Sequence, residues 1–273
     1  MTPDDIGAVV AIITGVEQED GEAAAIDFAE GGVEGHFVLT LDGDERPLGV
    51  SGFRHVPATE RTSWLSWTYL AEAYRGQGHG TALIAHVVET LRETGCRKAF
   101  VKVSDHEDPE EGAIYAAATK VYERLGFVEE LKVADFYDDE ENLSILGRSF
   151  DEHDAAGGPE IADEDAAIEF VGFHEIADSD GAYTFEWDAP KRSLFGRRVG
   201  RKGGGFDRDD LVLGLKSVRK AGGRRVFLTF PSNLPSIHEP LRAAGFKRLG
   251  RLEHYYEPGL HELHFVHDLT GLA

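Results

Sequence analysis

Hydrophobic and polar positions in the first 150 residues switch between helical and strand spacing. Apolar residues recur at helical spacing from about Pro3 to Ala29, over Thr81–Thr94 and over Glu111–Leu125. A turn is predicted at Asp42–Arg46. Runs typical of strands occur at six places: His36–Leu41, Pro47–His55, Thr62–Leu70, Lys98–Ser104, Val128–Phe136 and Leu143–Phe150. Helices that alternate with strands predict a mixed α/β sheet.

An acidic segment separates this part from a second one. Residues 149–167 contain the turn-forming sequence Gly157-Gly158-Pro159 and lack a strand pattern, which predicts a linker. We therefore predict a domain over residues 1–150, a linker over 151–165 and a shorter domain over 166–273.

The second part repeats a portion of the first. A shift of 127 residues lays Tyr74–Val103 over Arg201–Phe230 with six identities. A shift of 119 residues aligns Gly126-Phe127 with Gly245-Phe246. The shared order of elements favours a duplication in which the second copy lacks the first elements of the first copy.

Length and charge exclude several classes of protein. The chain has 273 residues, of which 41% are hydrophobic, too many for a disordered chain and enough for a substantial core. Residues 1–165 hold 36 acidic against 12 basic side chains, and residues 166–273 hold 14 against 16. The acidity argues against nucleic-acid binding by the first part. This acid-rich, lysine-poor composition resembles that of proteins from salt-loving archaea, in which surface carboxylates hold water.

Cysteine and histidine usage gives no metal site. Cys96 is the single cysteine, which excludes an intrachain disulfide and a multi-cysteine metal centre. His261, His264 and His267 are three residues apart, so on a strand they would not share a face. The apolar stretch Gly7–Val16 is too short to span a bilayer and lacks a basic segment before it. We expect a cytoplasmic protein without a membrane segment.

A glycine-rich loop between a predicted strand and a predicted helix carries the chemistry. It consists of Arg75, Gly76, Gln77, Gly78, His79 and Gly80. Glycines let backbone N–H groups approach an anion, and a helix N-terminus adds partial positive charge, which predicts a cradle for a pyrophosphate. The spacing fits neither a dinucleotide-binding fingerprint nor a phosphate loop of NTPases. A tight turn without a ligand is the alternative.

These residues resemble the GNAT N-acetyltransferases over about residues 4–150. The family's acyl-coenzyme A loop has the pattern Arg/Gln-x-x-Gly-x-Gly/Ala, which Arg75, Gly78 and Gly80 match. The segment Ala118–Phe127 is similar to the family's Ala-x-x-x-Tyr-Glu-Lys-x-Gly-Phe, and Asp135-Phe136-Tyr137 resembles the start of its closing hairpin. The second part resembles a degenerate copy. The resemblance implies two domains, each a mixed, mostly antiparallel twisted sheet flanked by helices.

The resemblance also implies roles in acetyl transfer from acetyl-coenzyme A to an amine. Backbone N–H groups of residues 75–80 would hold the pyrophosphate. The backbone at Tyr69 and Leu70 would pair with the pantetheine and polarise the thioester carbonyl. Tyr122 would protonate the departing thiolate, because a neutral phenol can donate a proton. Packing of its side chain in the hydrophobic core beneath the helix is the alternative role for Tyr122.

The chain departs from the family pattern at two places. Tyr115 stands seven residues before Tyr122, where the family often has Asn. No Glu lies in the middle of the strand Thr62–Leu70, where a base often sits. Asp105, His106 and Glu107 are candidate bases but equally suit an exposed loop. Trp64 and Trp67 are expected on opposite faces of that strand, one in the core and one beside the substrate.

The second copy is expected to be noncatalytic. Asp207 stands where Gly80 stands, and Leu241 stands where Tyr122 stands. This copy could complete the substrate groove or serve as a built-in dimerisation partner; a homodimer of the chain is the alternative to such an intrachain pseudo-dimer. A basic run over residues 191–202 has three possible roles. It could form a solvent-exposed face, pair electrostatically with the acidic first part of the chain, or bind an anionic ligand. The rival function is a noncatalytic acyl-coenzyme A-binding or interaction module; the acceptor would be a small-molecule or peptide amine.

Overall fold

The chain forms two compact units in a computed structural model, which describes residues 1–41, 44–57, 59–106, 115–150, 172–176, 179–185 and 206–270. The first unit comprises Met1–Pro57, Arg61–Glu129 and Ile145–Glu152. The second unit comprises Ala58–Glu60, Glu130–Ser144 and His153–Ala273. The expected linker and the basic run over residues 191–202 lie outside the described residues.

Six helices are present in the described ranges: α1 Ile6–Thr14, α2 Gln18–Gly31, α3 His79–Glu93, α4 Ala116–Arg124, α5 Arg208–Lys220 and α6 His238–Ala243. Single 3₁₀ turns occur at Pro3–Asp5, Glu72–Tyr74 and Pro235–Ile237. Within these ranges, no helix has both the length and the apolar character needed to cross a membrane.

The strands are β1 His36–Leu41, β2 Asp44–His55, β3 Thr62–Leu70, β4 Lys98–Ser104, β5 Val128–Asp138, β6 Glu141–Ser149, β7 His174–Glu175, β8 Ala182–Thr184, β9 Arg225–Pro231, β10 Lys247–Glu257 and β11 Leu260–Asp268. One sheet has the order β1-β2-β3-β4-β6-β5, and the other has the order β10-β11-β9-β8-β7. Both sheets contain antiparallel and parallel pairs of strands. The parallel pair is β3 with β4 in the first sheet and β8 with β9 in the second. The predicted mixed α/β class is therefore confirmed.

The helical segment predicted over residues 3–29 is divided into two helices. Gly15 ends α1, and the Glu17 side chain then accepts a hydrogen bond from the Gln18 N–H at 3.0 Å and starts α2. A Cβ atom at Gly21 would lie 2.1 Å from the Thr14 hydroxyl oxygen, so this glycine lets the two helices pack closely.

Other boundaries differ from the predictions by a few residues. β2 begins at Asp44, so the predicted turn is wrong for residues 44–46, while residues 42–43 lie outside the described residues. α3 begins at His79 rather than Thr81. α4 begins at Ala116, and residues 111–114 of its predicted start are not described.

The sheet of the first unit is covered on both faces by helices. On one face, α3 and α4 bury Val87, Leu91 and Phe127 with Phe53 of β2 and Leu65 of β3. On the opposite face, α1 and α2 bury a cluster that consists of Val9, Ile13, Ala24, Phe28 and Val50. Phe53 and Val50 on one strand thus point to opposite faces, as strand geometry requires.

β3 changes its partners along its length. Its first three residues, Thr62–Trp64, pair in parallel with Lys98–Phe100 of β4. Both strands are described in full, and their pairing does not continue beyond Trp64 and Phe100. On its other edge, β3 pairs with β2 throughout, with a register shift between Val50 and Gly52. Trp67 has a φ of +50° at this shift, which identifies a β-bulge.

The two units share a pattern of elements at fixed offsets. β4 and β9 are 127 residues apart, and the β5–β6 and β10–β11 hairpins have the same bounds at an offset of 119 residues. A third offset, 120 residues, relates the parallel pairs of Thr62–Trp64 to those of Ala182–Thr184. Positive φ angles recur at five equivalent pairs of positions: Arg61 and Gly181, Gly95 and Gly222, Gly126 and Gly245, Asp135 and His254, and Glu140 and Gly259. The correspondence includes β7 and β8, which the sequence comparison missed.

Candidate functional site

The glycine-rich loop ends at the first residue of α3. Gly76 and Gly78 have φ angles of +71° and +87°, a backbone conformation that side chains with a Cβ atom rarely adopt. A Cβ atom at Gly76, Gly78 or Gly80 would meet no heavy atom within 4 Å. Glycine is therefore required at residues 76 and 78 by the path of the backbone, and open space surrounds the loop.

The start of α3 has backbone N–H groups that precede its helical hydrogen bonds. The first intrahelical bond runs from Ala82 N–H to Gly78 C=O at 3.1 Å, so the N–H groups of residues 79–81 precede the helical ladder. Gly78 supplies no side-chain cap. The Arg75 and Gln77 side chains turn back to the carbonyls of Leu70 and Ala73. The loop can therefore present backbone donors and the positive end of a helix to an anion.

The end of β3 brings backbone groups toward the gap beside β4. Ala71 N–H donates to Leu48 C=O across the β2 edge at 2.8 Å, so the backbone groups of Leu70, one residue earlier, face the other edge. The Leu70 carbonyl accepts from Arg75 Nε at 3.1 Å on that side. Of the two residues predicted to pair with pantetheine, the structure thus turns the backbone of Leu70 toward the gap and that of Tyr69 toward β2.

The Tyr69 side chain joins β3 to α2. Its hydroxyl donates to the Asp20 carboxylate. Burial, together with the negative charge and hydrogen bond of Asp20, raises the pKa of Tyr69 far above its ordinary value. The phenol is therefore fixed in its neutral form as a structural contact between sheet and helix.

The bulge in β3 is attached to α2 by a second polar cluster. Trp67 Nε1 donates to Asp27 Oδ2 at 2.6 Å, and Arg54 Nη2 contacts the same oxygen at 2.9 Å. Arg54 also donates to the Gly31 and Gly32 carbonyls at 2.9 Å each, which stabilises the C-terminal end of α2.

The expectation for the two tryptophans is wrong, and the bulge is the reason. Trp67 packs against the cluster beneath α1 and α2. Trp64 lies against Phe100 and Lys102, on the face opposite Leu65, which packs with α3 and α4. The extra residue of the bulge places both tryptophans on the same face.

Tyr122 lies on α4 with its hydroxyl directed at β3. The side chain is 3% exposed, its ring packs edge-on to Phe127, and its hydroxyl donates to Thr68 Oγ1 at 3.2 Å. Thr68 Oγ1 is in turn 2.9 Å from Ser51 Oγ. Burial raises the pKa of Tyr122, opposed by the hydrogen bond to Thr68. A neutral phenol in this environment can act as a proton donor but not as a base at neutral pH.

Two of the three candidate bases lie in the part of the chain that the structure describes. Asp105 is exposed and His106 is half-buried, after the end of β4, and Glu107 lies outside the described residues. Tyr115, which replaces the family's Asn, immediately precedes α4 and packs against the core beneath it. In the part of the chain that the structure describes, no three His, Cys, Asp or Glu side chains are grouped to hold a metal ion.

The second unit arranges its equivalent positions differently. Asp207 caps α5, where its carboxylate accepts from the N–H groups of Asp209 and Asp210 at 2.8 and 3.0 Å. This side chain occupies the donors that an anion would need. Leu241, at the position of Tyr122, is buried in the core. Residues 201–205 of the equivalent loop are outside the described residues.

Sequence reasoning missed the polar partners of the site. Thr68, Ser51, Asp27 and Asp20 were not singled out, although they contact Tyr122, Trp67 or Tyr69 directly or through one hydroxyl. β3 contains four serine or threonine residues, so the residue type alone did not single out Thr68. Its partner could not be deduced, because the bulge shifts the alternation of faces.

Comparison with known proteins finds a family model that is similar to this region. Residues 13–127 match the model of the acetyltransferase (GNAT) family. No curated protein matches the chain at a significant level.

Solved structures resemble a little over half of the chain. A protein described as a GNAT-family acetyltransferase from Desulfovibrio desulfuricans is 27% identical, with a TM-score of 0.47, over 55% of this chain and 94% of that one. The ribosomal-protein-S18-alanine N-acetyltransferase of Escherichia coli is 22% identical, with a TM-score of 0.43, over 56% and 93%. An aminoglycoside 6'-N-acetyltransferase complexed with coenzyme A is 14% identical, with a TM-score of 0.46, over 56% and 94%. The stretch of the chain that is similar to the acetyltransferase (GNAT) family is therefore residues 13–127.

Proposed function

We propose that the domain over residues 1–150 transfers an acetyl group from acetyl-coenzyme A to a primary amine. The observation that carries this proposal is the position of the Tyr122 hydroxyl on Thr68. Thr68 lies on the part of β3 that continues beyond its pairing with β4, and seven residues later the chain enters the glycine-rich loop at Arg75. The hydroxyl that accepts from the proposed proton donor thus lies on the same short segment of chain as the proposed anion-binding loop.

The residues present fit the coenzyme. The loop over residues 75–80 offers N–H groups before the first helical bond of α3, and Gly76 and Gly78 leave open space in front of them. These groups would hold the pyrophosphate. The backbone of Leu70, which faces the gap beside β4, would pair with the pantetheine, whereas the backbone of Tyr69 is used in the pairing with β2. When bound, acetyl-coenzyme A supplies an activated acetyl group as its thioester.

The chain's own residues provide orientation and one proton. The Leu70 N–H would polarise the carbonyl that the amine attacks. As the N–C bond forms and the C–S bond breaks, Tyr122 would donate its phenolic proton to the sulfur. The proton that the amine nitrogen loses would restore the phenol, so protons balance over the cycle. Direct attack agrees with a β3 that carries no carboxylate at its centre.

We infer that the second unit is a shortened, noncatalytic copy of the first. The three offsets and the five shared pairs of positive φ angles support a duplication. Asp207 at the helix start and Leu241 in the core support the loss of both anion binding and acid catalysis. The role of this copy as a built-in dimerisation partner stays a prediction from the sequence.

The acceptor is proposed as a small-molecule or peptide amine. A cytoplasmic location and a homodimer remain predictions from the sequence. The competing function is a module that binds acyl-coenzyme A without turnover. The two functions differ in what they require of Tyr122, because binding through the loop does not use its hydroxyl.

The test is a comparison of wild type, Tyr122→Phe and Tyr183→Phe in a panel of amines, with release of free thiol as the readout. Tyr183 belongs to the second unit and serves as the matched control. We expect Tyr122→Phe to lower kcat by about 10²-fold or more with unchanged affinity for acetyl-coenzyme A, and Tyr183→Phe to have no effect. Coenzyme binding without thiol release from any amine would favour the binding module.

A further inference from the structure

Thr68 bridges two hydroxyl groups in the first unit. Its Oγ1 accepts from the Tyr122 hydroxyl at 3.2 Å and lies 2.9 Å from Ser51 Oγ. Ser51 is fully buried and Tyr122 almost so. We propose that Thr68 is a positioning residue that directs the proton of Tyr122 during acetyl transfer. This inference rests on the proposed function.

The bulge at Trp67 is what places Thr68 on the side of Tyr122. Leu65 faces α3 and α4, and in a regular strand a residue three positions later would face the other way. The register shift opposite Ser51 inserts one residue at Trp67 and turns Thr68 back to the face of Leu65. The placement is therefore specific to this bulge, and the contact of Trp67 with Asp27 holds the bulge in position.

The three hydroxyls can exchange their donor and acceptor roles. As the structure stands, Tyr122 donates its proton to Thr68, which directs that proton away from any other acceptor. Either Thr68 or Ser51 can donate in the bond between them. If Ser51 donates to Thr68, the Thr68 hydroxyl can turn and donate to the Tyr122 oxygen.

This second arrangement suits proton transfer. The Tyr122 O–H is then free to turn to the sulfur, where an S–H bond forms as the O–H bond breaks. The negative charge left on the phenol oxygen is met by the Thr68 O–H, and charge-assisted hydrogen bonds are stronger than neutral ones. Thr68 itself changes no covalent bond. Its contribution arises in the reaction step and not in the binding of either substrate.

The experiment compares Thr68→Val with Thr68→Ser, measuring kcat and the KM for acetyl-coenzyme A. Valine keeps the shape and suits a strand, so the fold is expected to persist. Loss of one hydrogen bond in the transition state predicts a fall in kcat of about tenfold for Thr68→Val, with an unchanged KM. Serine retains the hydroxyl and is expected to restore kcat.

The double variant with Tyr122→Phe completes the test. If Thr68 acts through Tyr122, Thr68→Val causes no further loss in the Tyr122→Phe protein. Wild-type kcat in Thr68→Val, failure of serine to restore kcat, or a further loss in the double variant would overturn the role of Thr68. Full activity of Tyr122→Phe alone would instead overturn the proposed function of Tyr122, whichever result Thr68→Val gives.

Discussion

The protonation state of His261 is expected to control the acid stability of the second unit. His261 Nδ1 accepts a hydrogen bond from the His254 N–H at 2.9 Å, at the bulge of β10. In the equivalent hairpin, the Asn142 side-chain oxygen accepts from the Asp135 N–H at 3.0 Å. Asparagine makes this contact without titrating, whereas histidine makes it only while Nδ1 is unprotonated.

The direction of the pH effect follows from the surroundings of His261. Burial is the largest influence and lowers its pKa; Glu253 raises it, and Arg251, His254 and Arg248 lower it. A folded-state pKa below the ordinary value means that the unfolded chain binds more protons as the pH falls. The stabilisation is therefore complete above the ordinary histidine pKa of about 6.5 and is lost as the pH falls through that value toward the folded pKa.

The size of the effect follows from the two partners of Nδ1. Protonation removes the acceptor of the half-buried His254 N–H, at a cost of about 1–3 kcal/mol. The new N–H can donate to Glu253 Oε2, which is 2.9 Å away, but the Glu253 side chain is 39% exposed, and such pairs return only about 0–1 kcal/mol. A net loss of about 1–2 kcal/mol corresponds to a fall in Tm of roughly 5–10 °C for a unit of this size.

The assay is thermal unfolding of the full chain as wild type and as His261→Asn. Each protein is measured one pH unit above and one pH unit below the ordinary histidine pKa of about 6.5. His36 and His267 also have pKa values lowered by burial, and their contribution is common to both proteins. We expect the fall in Tm with acid to be smaller in His261→Asn. An equal fall in both proteins would refute the reasoning.

Two further pairs of variants, one pair in each unit, test the packing by denaturant unfolding. Asp27→Ala removes the acceptor of both Trp67 and Arg54 and is expected to lower the free energy of unfolding by about 2–4 kcal/mol. Asp27→Asn keeps an acceptor and should lower it by less. Equal losses in the two variants would contradict the role of Asp27. Leu241→Ala, at a side chain 1% exposed, is expected to cost about 2–5 kcal/mol. Leu213→Ala, at one 65% exposed, should cost less than about 0.5 kcal/mol, and similar costs would contradict the assigned core.

Much of the fold could be predicted because its signals are local. The strand at Lys98–Ser104 and the helix that follows the glycine-rich loop were expected from apolar spacing and glycine content, and both are present. The faces of Trp64 and Trp67 could not be predicted. They depend on a bulge that is fixed by the register with β2 and by Asp27, a residue 40 positions away.

The correspondence between the elements of the two units shows the same division between local and distant information. Matching glycines revealed the offsets of 127 and 119 residues, since a positive φ favours glycine at Gly95 and Gly222 alike. The third offset is carried by backbone pairing, in which Thr62 and Ala182 are equivalent. Backbone hydrogen bonds place few demands on side chains, so the sequences of these strands could diverge beyond recognition.

The central claim is that the loop before α3 holds acetyl-coenzyme A. The most direct test is calorimetric titration of acetyl-coenzyme A into wild type, Gly78→Glu and Gly222→Glu, in concentrated potassium chloride to suit an acid-rich chain. Gly222 has a φ of +93° and open space around it, as Gly78 has, so this control carries the same strain and charge in the other unit. We predict that wild type and Gly222→Glu bind acetyl-coenzyme A and that Gly78→Glu does not. Binding retained by a folded Gly78→Glu, or none by a folded wild type, would contradict the claim.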